Sequence, residues 1–470
     1  MSELIFNAFV MNTASHIQHG QWRHPDARQH DFNDVRLWIE LGRTLEAGLF
    51  DAIFFADVVG LYGPLHGDHA VNAREGLQIP SNDPSVLLSA IAVNTEHLGL
   101  ALTSSVLQAH PFEFARRAST LDHISNGRLA WNIVTSTQEN AARNFGFERL
   151  VEHDARYHWA EEYTDVAYKL WEGSWDEGAL LRDKARGLFA DPERIHKIFH
   201  VGKRYRVEGP HLPSPSPQRT PFLFQAGSSP AGRRFAARHA EGQFISAPNP
   251  SAAAALIGET RTLARDFGRD PGDIKFLQGF AFVIGSTEEE ARRKEAELDQ
   301  YVSIDGFLAH ANLGVSQDTG EPYPPETLLA DIKTNGGRSH IEWLRQAHPG
   351  REPTVGDLAR LVARRHQRLV GTPQSLADQL TEWQQAGIDG VNVINWHLPG
   401  SYQEFNAHLL PELQKRGLAK RDYRPGTLRE KLTGRARLPA SHPAARYRGF
   451  FSHPAKPAPA GAAAELVPGE

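Results

Sequence analysis

The chain contains no cysteine. Disulfides, thiolate nucleophiles, Cys-ligated zinc and iron–sulfur clusters are therefore all excluded. Blocks of one charge are also missing: 51 Lys and Arg against 56 Asp and Glu leave a formal net charge of -5, spread along the length. That argues against a nucleic-acid-binding face or an anionic-membrane anchor. No apolar run approaches the roughly 20 residues that span a bilayer. The opening stretch, MSELIFNAFVMNTASH, has Glu3 ahead of its apolar run and no basic segment, so it does not read as a secretory signal. The expected location is the cytoplasm. Neither a Gly-x-Gly-x-x-Gly after the first apolar run nor a P-loop is present, which weakens dinucleotide and nucleoside-triphosphate readings.

What is present is an alternation. Short β-rich apolar runs fall at Leu4–Met11, Ala52–Val58, Gly99–Val106, Leu129–Thr135, Pro221–Ala226, Gln243–Ala247, Phe276–Ile284 and Val391–Asn395. Between them lie helical segments such as Asp31–Phe50, Pro84–Leu98, Pro111–Ser125, His153–Trp171, Thr287–Tyr301 and Gln374–Ala386. Strands alternating with helices imply parallel βαβ units, and about eight of them favour a closed TIM (β/α)8 barrel over a doubly wound sheet. With 40% hydrophobic and 23% charged residues, 470 residues suit one such barrel with insertions. Two stretches do not fit the repeat, 176–218 and 303–365, and read as rim insertions. The barrel unit is expected to run from 1 to 438. The extension 439–470 turns rich in Pro and Ala, so its end is expected to be disordered.

In a TIM barrel the site lies at the C-terminal ends of the strands. Those ends here offer Asn12 to His24, Asp57, Thr103 to Ser105, Asn132, Thr135 to Thr137, Gly227-Ser228-Ser229 and Asn395-Trp396-His397. Taken singly, each is as well explained by a turn or a cap. Gly227-Ser228-Ser229-Pro230 says more: an N-cap serine and a proline at the first helical position open a helix whose N–H groups and hydroxyls could cradle a phosphate. An ordinary capped helix is the competing reading. His16, His19 and His24 cluster after the first strand, as in a metal-dependent hydrolase barrel. Their spacing is HxxH rather than HxH, and no aspartate ends the last strand, so no metal is expected. His153 and Tyr157 stand four apart and share a helical face, which suits either a ligand or packing on the barrel.

Together the motifs resemble a family. Ala56-Asp57-Val58, Thr95-Glu96-His97-Leu98, Ser119-Thr120-Leu121-Asp122-His123, Gly127-Arg128 and Trp131-Asn132-Ile133-Val134-Thr135-Ser136 carry the likeness, followed by Asn144-Phe145-Gly146, Glu152 to Tyr157, Gln225-Ala226-Gly227 and Ala247-Pro248-Asn249. The pattern is similar to the nitrilotriacetate and dibenzothiophene-sulfone monooxygenases of the bacterial-luciferase-like flavin superfamily, from about residue 5 to residue 435. Ala56 to Tyr62, Leu170 to Trp175, Gly209 to Leu212, Pro215 to Pro221 and Arg437 to Arg448 most resemble the long-chain alkane branch.

The resemblance implies a two-component flavin-dependent monooxygenase. A separate NAD(P)H-dependent flavin reductase would supply reduced FMN, which uses O2 to oxygenate a small organic substrate: an alkane, sulfone, thioether or aminopolycarboxylate. Carried over by motif, Asp57, Thr103, Asn132 and Thr135 would line the isoalloxazine ring. His153, Tyr157, Ser228 and Ser229 would hold the ribityl and phosphate groups. His16 and His310 would stand above the flavin as catalytic groups, stabilising negative charge or moving a proton with a pKa near working pH. Phe9, Thr13, Tyr62, Thr137 and Phe307 belong to the expected substrate pocket. Three of these depart from the alkane branch, which has cysteine for Thr13 and histidine for Thr137 and Phe307, so alkane oxidation does not follow. A deazaflavin-dependent hydride-transfer enzyme on the same barrel is the alternative, and a flavin-binding relative without turnover the non-enzymatic one. Family habit implies a homodimer or homotetramer.

Overall fold

The computed structural model describes residues 3–62, 69–227, 229–311, 316, 323–332, 341, 344–345, 348–364 and 368–452. Eight parallel strands form its centre: β1 (Ile5–Met11), β2 (Ala52–Ala56), β3 (Gly99–Ser105), β4 (Leu129–Val134), β5 (Phe222–Gln225), β6 (Gly242–Ile245), β7 (Lys275–Ile284) and β8 (Gly390–Ile394). Consecutive strands pair from β1 to β6, β8 pairs with both β1 and β7, and β6 with β7 completes the ring. This is the TIM barrel anticipated from the alternation, with each strand ending within about two residues of its expected bounds.

Alternation along each strand sorts the side chains. One set faces the surrounding helices: Phe6, Ala8 and Val10, then Ile53 and Phe55, then Leu100 and Leu102, then Trp131 and Ile133. The other fills the barrel, with Phe9, Phe54, Ala101, Ala130, Phe222, Phe224, Leu277 and Ile394 packed together. Thr103 and Asn132 continue two of these inward rows beyond Ala101 and Ala130. Along β3 and β4 the interior thus turns from apolar to polar at the mouth.

Local chemistry sets the helix ends. The first helix starts at Val35, not Asp31, because the Asp34 side chain caps it by accepting from the Arg36 amide at 2.9 Å. The helix from Pro84 stops at Ala92, short of the expected Leu98. The buried Arg128 guanidinium donates to the carbonyls of Ala92, Thr95 and Leu98 at 2.7, 2.9 and 2.8 Å, so these oxygens are satisfied outside a helix.

The stretch 176–218 forms two hairpins, Leu180–Asp183 with Leu188–Ala190 and His200–Val201 with Arg206–Val207. The stretch from 303 carries helices Ile304–His310 and Val355–Arg364, and Phe307, Leu329, Ile341, Leu344, Val355 and Leu358 give it an apolar core of its own. From residue 439 to 452 the chain packs on the body, with His442, Ala444 and Tyr447 buried, and the end expected to be disordered lies outside the described residues.

The barrel floor is sealed by the helix Leu428–Thr433, opened by a Thr427–Glu430 capping box. Leu428 joins the interior cluster. Arg429 and Glu241 form a buried ion pair, Nε to Oε1 at 2.7 Å and Nη2 to Oε2 at 2.8 Å. Arg429 Nη2 also donates to the carbonyls of Thr220 and Pro221, each at 2.9 Å, just before β5. Removing one partner of such a pair leaves a buried charge uncompensated. Arg429→Ala is therefore expected to cost about 3–5 kcal/mol in denaturant unfolding, and a loss below about 1 kcal/mol would show that Glu241 finds water instead.

Candidate active site

A cavity of about 380 Å³ opens at the C-terminal mouth of the barrel. Its lining brings together Phe9, His16, Asp57, Tyr62, Thr103, Asn132, Thr135, Thr137, Tyr157 and His310. These come from four separate strand ends or the loops after them, one helix and the insertion. Thr13 instead lines a small neighbouring cavity, which shares His16 and Met11 with the main one. His153 stays half-exposed beside Asp154, its ring 5.4 Å from that of Tyr157 and outside the lining. The Phe307 side chain turns into the insertion's own core. Ser228 lies outside the described residues.

One wall is aromatic. The Phe9 ring lies 4.8 Å from Phe244 and 4.9 Å from His16, centroid to centroid. The opposite side is polar and fixed. Asn132 Nδ2 donates to Thr103 Oγ1 at 2.9 Å, while Asn132 Oδ1 is buried with no partner among the described residues. Gln225 Oε1, from the end of β5, is likewise buried without one. Buried polar atoms are rarely left unmade, so these amide oxygens at a cavity wall mark where a ligand's donors would fit.

Below them the chain approaches closely. A Cβ on Gly227 would stand 2.7 Å from the Tyr157 hydroxyl and 2.9 Å from Gly232 Cα, so only glycine fits. Ser229 caps the helix Pro230–His239 by accepting from the Gly232 amide at 3.1 Å. The Tyr157 hydroxyl sits among the side chains of Ser229, Gln225 and Thr135. Glycine backbone, hydroxyls and a helix start together form an anion cradle.

The ionisable groups are tuned by burial. Desolvation pushes the Asp57 carboxyl up to about 7, against a hydrogen bond from Gln108 Nε2 at 3.2 Å. Burial raises the Tyr62 phenol to about 12. It lowers His16 to about 3, with His310 adding to the effect, and His310 to about 4. Both imidazoles are therefore neutral at working pH. A histidine titrating near neutrality, as expected from the sequence, is not what this setting produces.

The three clustered histidines diverge. His16 lines the cavity, His19 bonds to His310, and His24 stacks on His397 at 4.9 Å. Among the described residues no group of three histidines or carboxylates could hold a metal. Nothing in the sequence points to three amides that shape the wall, Gln78, Gln108 and Gln138, or to Phe244, and it marks Gln225 and Ser136 only as parts of a motif and a strand end. Gln78 and Ser136 both hold a left-handed backbone, φ 51° and 59°, and the Ser136 hydroxyl donates to that of Ser105 at 2.7 Å.

An eight-stranded parallel barrel with a polar-lined cavity at its C-terminal mouth is the architecture of an α/β-barrel enzyme. The family described as luciferase-like monooxygenase matches residues 11–390, and the chain belongs to it. It is 42% identical to the long-chain alkane monooxygenase of Geobacillus thermodenitrificans over 95% of this chain and 98% of that one. It is 40% identical to the dimethyl-sulfide monooxygenase of Hyphomicrobium sulfonivorans, over 95% and 94%. Among solved structures, a long-chain alkane monooxygenase superposes with a TM-score of 0.86, over 95% of this chain and all of that one, at 42% identity. A riboflavin lyase solved with a modified FMN superposes at 0.87 and 35% identity, over 95% and 100%.

The two depressed histidines make stability depend on pH with a definite sign. The unfolded chain binds their protons near pH 6.5, the folded chain only near 4 and 3. Their contribution is complete above about 6.5 and is lost as pH falls through that window. The denaturation midpoint of His310→Phe is therefore expected to fall less steeply with acidification than that of the wild type. Parallel curves would mean that His310 is solvated.

Proposed function

We propose that this chain is the oxygenating component of a two-component flavin-dependent monooxygenase. Reduced FMN arrives from an NAD(P)H-dependent flavin reductase, and one atom of O2 is placed in a small organic substrate. The observation that carries the reading is the pairing, in one cavity, of amide oxygens at Asn132 and Gln225 that have no partner among the described residues with Gly227, beside the helix start that Ser229 caps. A flavin mononucleotide has N–H donors on its ring and a phosphate at its tail, and the donor set fits both.

In this reading Asn132, locked by Thr103, accepts from the ring edge. Asp57 and Thr135 flank it, and Tyr157, Ser229 and the helix start hold the phosphate end. Bound reduced FMN supplies the electrons that activate O2. The protein's part is to bind and orient it, to keep water off with Phe9, Phe244 and Tyr62, and to offer neutral imidazoles at His16 and His310. No Arg or Lys occurs among the described lining residues. That favours an uncharged substrate, such as an alkane, thioether or sulfone, over an aminopolycarboxylate, whose charges would lack partners.

The test is to mix the protein anaerobically with photoreduced FMN, admit O2, and follow near-ultraviolet absorbance by stopped flow. Reoxidation much slower than that of free flavin is expected. A rate equal to that of free flavin would sink the reading and turn attention to deazaflavin hydride transfer. Ser229→Glu should weaken reduced-FMN affinity by at least roughly tenfold, about 1.4 kcal/mol, by placing a carboxylate against the phosphate. Gly227→Val should do the same by filling the cradle. Unchanged affinity in both would move the phosphate elsewhere.

A further inference from the structure

His310 belongs to the insertion, yet it lines the cavity that the barrel otherwise builds. The loop after β1 seats it. The Ser303 amide donates to the His19 carbonyl at 3.0 Å. A Cβ on Gly306 would already stand 3.0 Å from His19 Cβ, and the Phe307 ring meets the His19 ring edge-on at 4.9 Å. The buried His19 side chain then continues a line of hydrogen bonds. Its Nε2 lies 2.7 Å from His310 Nδ1, and its Nδ1 lies 3.0 Å from Ser15 Oγ.

The protons on this line are assigned from one end. Ser15 is 2% exposed, and its hydroxyl meets His19 alone among the described residues. A buried hydroxyl that donates to nothing forfeits about 1–3 kcal/mol, so Ser15 donates to His19 Nδ1. His19 then carries its proton on Nε2 and donates to His310 Nδ1. His310, with Nδ1 accepting, carries its own proton on Nε2.

We propose that His19 is a positioning residue: the Ser15–His19–His310 line holds His310 as a neutral imidazole that offers Nε2–H to an oxygen atom bearing negative charge in the cavity. His310 is thereby a hydrogen-bond donor and not a base. Burial of the His310 ring keeps it neutral, and a neutral donor at the wall costs no proton release when the oxygen arrives. The identity of that oxygen rests on the flavin reading, whereas the proton assignment does not.

The two parts are tested separately. Flavin-free, full-length protein with ring-15N-labelled histidine is examined by NMR across neutral pH, and the His310 signals are identified by their loss in His310→Gln. Nε2 should be protonated and Nδ1 not. Ser15→Ala, a small change, should let the opposite tautomer appear. His19→Leu, mixed with photoreduced FMN and O2 and no organic substrate, should reoxidise the bound flavin about 100-fold faster than wild type, the scale of losing one donor to a developing anion. His19→Gln, whose amide N–H can still donate to Nδ1, should recover the slow rate. A wild-type His310 protonated on Nδ1 overturns the assignment, and an unchanged rate in His19→Leu overturns the positioning role. If the wild type itself fails to slow reoxidation, the flavin reading falls while the ring spectra still decide the tautomer.

Discussion

An eight-stranded barrel has an interior just wide enough for side chains, and that constraint governs everything above it. Every inward residue must be accommodated by its neighbours on adjacent strands, which is why Phe54 and Phe224 stand beside Ala101 and Ala130. Once the interior is filled, a ligand can sit only where the strands end. Change of character along β3 and β4, from alanine to Thr103 and Asn132, is the transition from packing to recognition. The site is the last layer of the barrel, left open on one side.

Apolar walls at this layer have an electrostatic consequence. Phe9, Phe244 and Tyr62 border a space that also holds Asp57, His16 and His310. Each charged form is disfavoured there, so the carboxyl rises and the imidazoles fall. The imidazoles are therefore neutral at working pH, and the orientation of the polar groups is set by hydrogen bonds. Asn132 is set by Thr103, Asp57 by Gln108 and His310 by His19.

Much of this could be read in the sequence because parallel strands buried on both faces appear as plain apolar runs between helices. The Ser229–Pro230 helix start was also legible, since capping is a local signal. The partnership of His19 with His310 was not, for it joins residues 291 apart across an insertion. Phe307 sits in a seven-residue helix, too short for a pattern to say which side faces the barrel. The four-residue spacing of His153 and Tyr157 correctly places them on one helix side, yet it says nothing of depth, and only Tyr157 reaches the cavity. Glutamine at a cavity wall has no distinguishing neighbour pattern at all.

Closure of the ring also has a consequence in time. Ile5 pairs with Gly390, the Leu4 amide bonds to the Leu418 carbonyl, and the floor is finished by Leu428 and Arg429. During synthesis the first strand leaves the ribosome long before its partner exists. Its edge, with the apolar rows beside it, stays open until nearly the whole chain has emerged. Completion of the barrel is thus a late event of high contact order, and until the last strand pairs, the open edge is a template for association.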